Sequence, residues 1–196
     1  MALWKDHRFT LASGSPRRRE LLKGLDIEFT VEPGKDEREA FSEGLPHDEI
    51  PEFLARHKSE TFHRELEPGE VLITADTLVL LGSRILGKPG GREEAVSMLR
   101  SLSGRTHRVI TGMALRTSDA IRTFRDVTEV DFKPLAEEEI AYYVDTCRPF
   151  DKAGAYGIQE WIGYIGVTAI RGSYFNVMGL PTELLYRELC DFLSRG

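Results

Sequence analysis

The chain has 196 residues, of which 41% are hydrophobic and 30% are charged, so it can bury a sizeable core and has no bias towards disorder. Its formal net charge of −6 argues against a general nucleic-acid binder or a membrane-surface protein, because such proteins usually carry an excess of basic residues. An acidic protein can still bind a small anion if its cations are gathered in one place.

Cys147 and Cys190 are the only cysteines, and they lie far apart without a metal-ligand spacing. We expect both to be small buried hydrophobic residues in a reducing compartment rather than a disulfide. The first eight residues lack the apolar core of a signal peptide, and no apolar run approaches the length of a membrane span. The expectation is a cytoplasmic protein.

The first informative junction joins a short strand, residues 9–12, to a helix through the segment 13–19, SGSPRRR. Ser15 suits the N-cap, the proline after it suits the first helical position, and Gly24 is a plausible stop. Backbone N–H groups at such a terminus favour an anion. The segment lacks the glycine and Lys-Ser/Thr spacing of a P-loop.

Two arginines of that segment are candidate phosphate ligands. Arg17 and Arg18 fall in the first turn of the helix, where a cation opposes the dipole unless an anion is bound. The guanidinium fork matches phosphate oxygens. The alternative is a solvated basic face, which we expect for Arg19.

A second strand, residues 27–31, leads into a charged loop in which Asp36 and Glu37 could bind a hard cation or lie in an exposed turn. Residues 48–66 have a helical pattern. Lys58 flanks its apolar stripe and could extend into solvent or project into a cleft. The stripe consists of Ile50, Phe53, Leu54, Phe62 and Leu66.

The apolar stretch 71–81 predicts a buried strand that one carboxylate, Asp76, interrupts. Such a charge is costly unless a cation, a metal or hydrogen-bond donors meet it. A Gly82-Ser83 turn would return the chain so that Lys88 arrives near the same end of the sheet. This stretch indicates a phosphate-chemistry site, or else Asp76 caps a strand end and Lys88 is an ordinary surface residue.

The rest of the chain continues as strands and helices. We expect His107 to be a satisfied polar strand residue rather than a catalyst. The predicted elements are a helix at 92–102, strands at 106–115 and 121–132, a helix at 135–146, a strand at 164–170, a turn-rich return at 173–181 and a helix at 181–193. The pattern predicts one α/β domain, residues 1–196, with an extended mixed β-sheet flanked by helices and two lobes around a central cleft.

The segment 151–159, DKAGAYGIQ, combines two glycines with flanking polar residues. The glycines allow backbone to pass close to a ligand, and Gln159 offers the donor and acceptor that reading a base edge requires. A purely structural loop explains the glycines equally well but leaves Lys152 and Gln159 unexplained.

Five motifs occur in a characteristic order: SGSPRR at 13–18, ADT at 75–77, GKP at 87–89, SGRTH at 103–107 and DKAGAYGIQ at 151–159. With them the chain resembles the Maf family of nucleoside triphosphate pyrophosphatases from end to end. The resemblance implies an inosine-triphosphatase-like fold with a deep cleft, a divalent metal cofactor (Mg²⁺ or Mn²⁺) and a homodimer. It also implies cleavage of a nucleoside triphosphate substrate to the monophosphate and pyrophosphate.

The resemblance also assigns roles to residues. Asp76 matches the general base and, with Glu37, the metal ligands; Arg17, Thr77 and Gln159 match the specificity positions. The other positions that would line the site are Ser13, Arg18, Lys58, Lys88 and Lys152. Thr77 and the Gly-Ile-Gln ending resemble the branch that acts on dTTP and UTP, with modified pyrimidine nucleotides left open.

The sequence departs from the family in two places. Lys58 is followed by Ser59, where the family more often has alanine, and Glu37 aligns with the family's acidic loop through a one-residue offset. No Ser-His-Asp or Cys-His constellation is evident, which favours water as the nucleophile. The alternatives are a 7-methyl-GTP pyrophosphatase and a nucleotide-binding regulator of cell division, although a pure binder has no use for an acid among its cations.

Overall fold

The structure is a computed structural model that describes residues 6–34 and 44–194. The strands and helices run, in chain order, as β1 (Arg8–Leu11), α1 (Pro16–Lys23), β2 (Phe29–Val31), α2 (Ile50–Glu60), β3 (Glu70–Leu81), β4 (Arg84–Leu86), α3 (Arg92–Leu102), β5 (Thr106–Arg116), β6 (Ile121–Phe132), α4 (Glu137–Cys147), α5 (Trp161–Gly166), β7 (Val167–Arg171), α6 (Tyr174–Met178) and α7 (Thr182–Leu193).

The strands form one seven-stranded sheet in the order β2-β1-β3-β5-β6-β7, with β4 paired to β3. Strand β1 runs parallel to both β2 and β3. The β3–β4 and β6–β7 pairs are antiparallel. The predicted mixed α/β sheet with flanking helices is therefore confirmed, and so is the hairpin after β3.

The chain divides into two compact units. Unit 1 comprises Met1–Asp76, Thr111–Asp126 and Gly179–Gly196, and unit 2 comprises Thr77–Ile110 and Val127–Met178. The boundary thus falls between Asp76 and Thr77 inside β3. The single domain and the central cleft expected from the sequence stay predictions.

Local sequence signals set the limits of helix α1 in unit 1. The Ser15 hydroxyl accepts the backbone N–H of Arg18 at 3.4 Å, Pro16 occupies the first helical position, and Gly24 forms the C-cap. These are the capping interactions that the sequence predicted. The basic segment therefore begins a helix, and Arg19 is exposed on it as expected.

Helix α2 is shorter than the pattern over 48–66 predicted. It ends at Glu60, and the Thr61 hydroxyl donates to the His57 carbonyl at 2.8 Å. Phe62 and Leu66 lie beyond the helix but are still buried, in a cluster with Ala12, which follows β1, and Leu72 of β3. The apolar spacing continues past the end of the helix because Phe62 and Leu66 are buried in this cluster, not because the helix itself continues. Phe53, assigned to the inward stripe, is 41% exposed.

Two further predictions, both in unit 2, were wrong: the start of the strand at 164–170 and the absence of a helix from the return at 173–181. Residues 161–166 form α5 before β7 begins at Val167, and the supposed turn region contains α6. Short apolar runs do not distinguish strand from helix by periodicity. Gly163 explains the tight packing at α5, because a Cβ there would lie 1.8 Å from the Ile158 carbonyl oxygen.

Each unit has its own apolar core, and α3 and α4 bury residues such as Leu99, Leu102 and Ile140 in that of unit 2. Cys147 and Cys190 are free thiols, half-buried rather than buried. None of the helices in the described parts of the chain is long and apolar enough to cross a bilayer.

A partly buried ion-pair network fixes the start of β3 in unit 1. Arg64 donates to Glu70 at 2.7 and 2.9 Å and to Glu32 at 2.7 and 3.1 Å. The backbone N–H of Glu67 and the hydroxyl of Thr10 also donate to the buried Glu70 carboxylate. Led by the Arg64 bonds, these donors lower the pKa of Glu70 from 4.5 to about 2.

Glu70→Gln should destabilise the protein, because Arg64 then loses one of its two carboxylate partners. A carboxylate whose pKa is lowered in the folded protein stabilises the fold at any pH above its ordinary pKa. That stabilisation is lost as the pH falls from 4.5 towards about 2. We expect the free energy of unfolding of the variant at pH 7 to be about 3 kcal/mol lower than that of the wild type. We expect this difference to shrink below pH 4.5. Urea unfolding across this pH range measures it.

Glu28→Gln is the matched control, since Glu28 is an exposed carboxylate of the same unit. It should leave the free energy of unfolding unchanged. A Glu70→Gln difference that stays constant from pH 7 to pH 2.5 would contradict the network as the source of acid sensitivity.

Candidate active site

Strand β3 is buried at every position except two. Asp76 and Thr77 are half-buried, whereas their ten neighbours in the strand are buried. The strand is therefore open at the two adjacent residues that the sequence singled out as base and specificity position. Asp76 ends unit 1 and Thr77 begins unit 2.

In unit 1, Asp76 is met by a cation. Lys58 Nζ lies 2.6 Å from Asp76 Oδ1, and the side chains are 30% and 13% exposed. The lysine does not extend into solvent, the commoner outcome for a lysine on such a flank. A carboxylate that keeps partial access to solvent can still bind a ligand while its lysine partner offsets the cost of burial.

Two contacts place helix α2 so that Lys58 reaches β3. The Thr74 hydroxyl donates to the Ala55 carbonyl at 2.6 Å. Gly112 of β5 leaves room for the start of α2, because a Cβ there would lie 2.1 Å from the Glu52 nitrogen. The helix is therefore held against its own unit over the two turns that precede the lysine.

A second cation, Arg18, is held near Asp76 by hydrogen bonds to backbone carbonyls. Its Nη1 donates to the Ala75 carbonyl at 2.8 Å, and its Nε donates to the Gly179 carbonyl at 2.9 Å. Ser13 Oγ lies 3.5 Å from the same Nη1 and accepts the Ser15 N–H at 3.2 Å. The guanidinium is thus fixed one residue away from the carboxylate, which the helix-dipole argument did not foresee.

Unit 2 brings two of the sequence motifs together. The Gly154 N–H donates to the Gly87 carbonyl at 3.1 Å, which ties the GKP motif to the DKAGAYGIQ segment. Gly154 has φ +70, and a Cβ there would meet the Val79 side chain at 3.1 Å. The close packing against Val79 therefore explains why this position is a glycine. Lys88, in the tied motif, is exposed.

Lys152 is buried between two carboxylates. Its Nζ lies 2.7 Å from Asp151 Oδ1 and 3.0 Å from Glu160 Oε1. The hydroxyl of Tyr143 donates to the other oxygen of Glu160. A buried ammonium needs such partners, and the sequence did not indicate which residues would supply them.

Gln159, Thr77 and Arg17 are all half-buried. Within the described chain, Gln159 Oε1 is a buried acceptor with no hydrogen-bond partner. Leaving such an acceptor unpaired is costly, so a ligand N–H group would be favourable there. Arg17 lies in the first turn of α1, as predicted.

His107 is a buried strand residue as expected, but it is satisfied at only one ring nitrogen, because its Nδ1 is buried without a hydrogen-bond partner among the described residues. Its Nε2 lies 2.7 Å from the Tyr156 hydroxyl. Burial lowers the pKa of His107 from 6.5 to about 4, so the ring is neutral at pH 7. The SGRTH motif thus supports the DKAGAYGIQ segment through a buried polar contact.

Asp76 can serve a divalent cation, and Glu37 lies outside the described residues. Across residues 6–34 and 44–194, no three His, Cys, Asp or Glu side chains cluster to hold a metal by themselves. Magnesium is commonly bound through one or two carboxylates together with substrate phosphates and retained water. The partly accessible carboxylate of Asp76 fits that kind of site.

Sequence reasoning missed Glu160, Tyr143 and Arg64. The one available signal for Glu160 was its position directly after Gln159, at the end of the DKAGAYGIQ motif. Tyr143 and Arg64 lie far from any motif, and nothing in their spacing distinguishes them from ordinary helix and loop residues.

The comparisons with known proteins cover almost the whole chain. A family model described as "Maf-like protein" matches residues 8–192. The chain is 52% identical over 183 residues to a dTTP/UTP pyrophosphatase of Bacteroides thetaiotaomicron, covering 93% of this chain and 95% of that protein. It is 50% identical over 190 residues to a dTTP/UTP pyrophosphatase of Porphyromonas gingivalis, covering 96% of each. A solved HAM1 protein from Coxiella burnetii is 18% identical and covers 94% of this chain and 99% of its own, with a TM-score of 0.48.

Ser59, next to Lys58, is the basis of a stability prediction. Its hydroxyl is buried without a partner among the residues that the structure describes. The Ala55 carbonyl one turn earlier, which a helical serine usually reaches, accepts the Thr74 hydroxyl. Ser59→Ala should therefore stabilise the protein by about 1 kcal/mol, or raise Tm by about 2–4 °C, with turnover unchanged.

Ser101→Ala is the matched control in another helix. The Ser101 hydroxyl donates to the Met98 carbonyl at 2.6 Å, so its removal loses a hydrogen bond and should not raise Tm. Calorimetry of both variants decides the matter, and a lower Tm for Ser59→Ala would show that its hydroxyl does have a partner.

Proposed function

The chain belongs to the Maf family, and from this premise we propose that it is a nucleoside triphosphate pyrophosphatase that hydrolyses dTTP and UTP to the monophosphate and pyrophosphate. Relatives that bear the name dTTP/UTP pyrophosphatase are 50–52% identical over 93–96% of the chain, which supports this substrate class. Modified pyrimidine nucleotides would present similar base edges.

The observation that carries the proposal is the ion pair between Lys58 and Asp76 at the open point of β3. Arg18 is fixed on the Ala75 carbonyl beside it. A carboxylate with cations around it suits the cleavage of a polyanion, because the acid can take a proton from water while the cations offset the charge on the phosphates.

The proposed reaction is attack of water on the α-phosphorus. The bond from the water oxygen to the α-phosphorus forms, and the bond from the α-phosphorus to the oxygen that bridges to the β-phosphate breaks. Pyrophosphate leaves with that oxygen and the electron pair. Lys58 holds Oδ1 of Asp76, so we assign Oδ2 as the atom that accepts the proton from water or holds the metal that activates it. Lys58 and Arg18 then contribute mainly positioning and charge stabilisation.

We further propose that Mg²⁺ or Mn²⁺ is the cofactor, held by Asp76 and Glu37 together with the triphosphate. When bound, such an ion would offset the charge that develops on the leaving pyrophosphate. Its residence at a site with few protein carboxylates is consistent with the preference of Mg²⁺ for phosphate oxygens and water.

The remaining residues are assigned to substrate binding. Arg17, Lys88 and Lys152 are proposed as phosphate ligands and Ser13 as a residue that lines the site. Thr77 and Gln159, again with Arg17, are proposed as the positions that select the base. The unpaired acceptor of Gln159 supports this assignment, since thymine and uracil carry an N3–H donor where cytosine carries an acceptor.

We also propose that the protein is a cytoplasmic homodimer. The two free cysteines are compatible with a reducing compartment, and the net charge of −6 gives no reason to expect a nucleic-acid or membrane partner.

Asp76→Asn tests the catalytic assignment. The amide cannot accept the proton from water, so turnover should fall by about 10²–10⁴ while the fold is kept. Pyrophosphate release from UTP with Mg²⁺ present measures it, and circular dichroism checks the fold. Asp145→Asn is the control, because Asp145 forms an exposed ion pair with Arg92 at 2.6 Å.

Turnover of the Asp76→Asn variant near that of the wild type would remove Asp76 from the mechanism. Nucleotide binding by the wild type without pyrophosphate release, with Mg²⁺ or Mn²⁺ supplied, would instead support a nucleotide-binding regulator.

Competition among dTTP, UTP, CTP and 7-methyl-GTP in one assay tests the choice of base. We expect kcat/KM for dTTP and UTP to exceed that for CTP by more than about tenfold, because a buried acceptor that meets the N3 acceptor of cytosine is left unpaired. Preference for 7-methyl-GTP would overturn the assignment of Thr77 and Gln159.

A further inference from the structure

The carboxylate of Glu160 is the centre of a hydrogen-bonded cluster in unit 2. One of its oxygens accepts the hydroxyl of Tyr143, and the other lies 3.0 Å from Lys152 Nζ. Tyr143 is fully buried, and the side chains of Lys152 and Glu160 are 10% and 25% exposed. The cluster thus joins helix α4 to the DKAGAYGIQ segment.

The same cluster fixes the backbone on both sides of Gln159. The Gly157 N–H donates to the Tyr143 hydroxyl at 2.9 Å, and the Glu160 N–H donates to the Gly157 carbonyl at 3.0 Å. A Cβ on Gly157 would lie 2.8 Å from Cδ of Glu160. The glycine is therefore needed to let the carboxylate reach its partners, and Gln159 lies between the two tied residues.

The charges of the cluster make Glu160 the main partner of Lys152. Asp151 also contacts the ammonium, but its side chain is 59% exposed against 25% for Glu160. An ion pair shielded from water is stronger than an exposed one of similar length. Loss of the Glu160 charge would leave the buried Lys152, among the residues that the structure describes, with only its solvent-exposed partner.

The hydroxyl of Tyr143 is suited to act as a hydrogen-bond donor at all times. Burial and the neighbouring carboxylate raise its pKa well above the usual range, so its hydroxyl stays protonated. It can therefore donate to Glu160 and accept from Gly157 at the same time. Neither bond involves the ion pair of Asp76, and both partners of the hydroxyl belong to unit 2.

We propose that Glu160 and Tyr143 are positioning residues for base selection, which hold Lys152 and Gln159 in the geometry that recognises a pyrimidine nucleotide. This inference rests on the proposed function. It predicts that loss of either residue weakens substrate binding and base discrimination and leaves the chemical step at Asp76 nearly intact.

Two variants test it. Glu160→Gln keeps an acceptor for Tyr143 but removes the charge that holds Lys152, and Tyr143→Phe keeps the ring but removes both hydrogen bonds. For each we expect KM for UTP to rise about tenfold, kcat to stay within about threefold, and the UTP-to-CTP ratio of kcat/KM to fall at least fivefold. The double variant should show less than the sum of the two effects, because the residues share one network.

Glu137→Gln is the control, since Glu137 lies on the same helix in an exposed ion pair with Arg100. It should leave both KM and the UTP-to-CTP ratio unchanged. Where one variant fails to fold, the other carries the test, with the same expected ratio.

The outcomes separate the two proposals. If the wild type releases no pyrophosphate from UTP or dTTP, the proposed function and this inference both fall. If the wild type is active and the variants keep its UTP-to-CTP ratio, only the positioning role is overturned. An equal loss of kcat for every nucleotide with a lower Tm would also overturn it, because a purely structural residue affects all substrates alike.

Discussion

The ion pair between Lys58 and Asp76 is the interaction on which the site in unit 1 depends. A carboxylate in the middle of a twelve-residue strand is tolerated only if a cation approaches it, and the cation comes from a helix 18 residues earlier in the chain. Helix α2 can approach because β5 has a glycine where any side chain would collide with the helix, and because Thr74 ties Ala55 to β3. The charge pair is therefore a consequence of backbone packing, and packing residues that never touch a ligand decide where the acid and the lysine meet.

Cations with similar roles in the sequence motifs have different surroundings in the structure. Arg18 donates to the carbonyl oxygens of Ala75 and Gly179, and these bonds orient its guanidinium. Lys152 instead lies between two carboxylates, so its charge is balanced by its own segment. A phosphate that approaches Lys152 would compete with Glu160 for the ammonium group. Motif matching assigns both residues to the substrate and cannot distinguish these cases.

Features that local chemistry decides could be predicted from the sequence. The cap of α1, the β3–β4 turn and the limits of α3 depend on a few neighbouring residues, and each was predicted within a residue or two. The end of α2 and the helices after residue 160 could not, because apolar spacing reports which residues are buried and not which backbone conformation buries them. For the site, the sequence identified Asp76 and its nearby cations. It could not find Glu160 or Tyr143, since their role depends on a contact between α4 and a loop that only the folded chain creates.

The DKAGAYGIQ segment shows how a motif can be structural and functional at once. Its glycines have packing reasons, one against Val79 and one against Glu160, and its tyrosine is buried against His107. A structural loop would need nothing more. However, the network also holds a buried lysine and leaves the acceptor of Gln159 without a partner among the described residues, and a fold selected for stability alone would have no reason to keep either. The rigid backbone and the unsatisfied amide are thus two parts of one arrangement, because an unpaired acceptor can discriminate between bases only if the surrounding loop does not move to satisfy it.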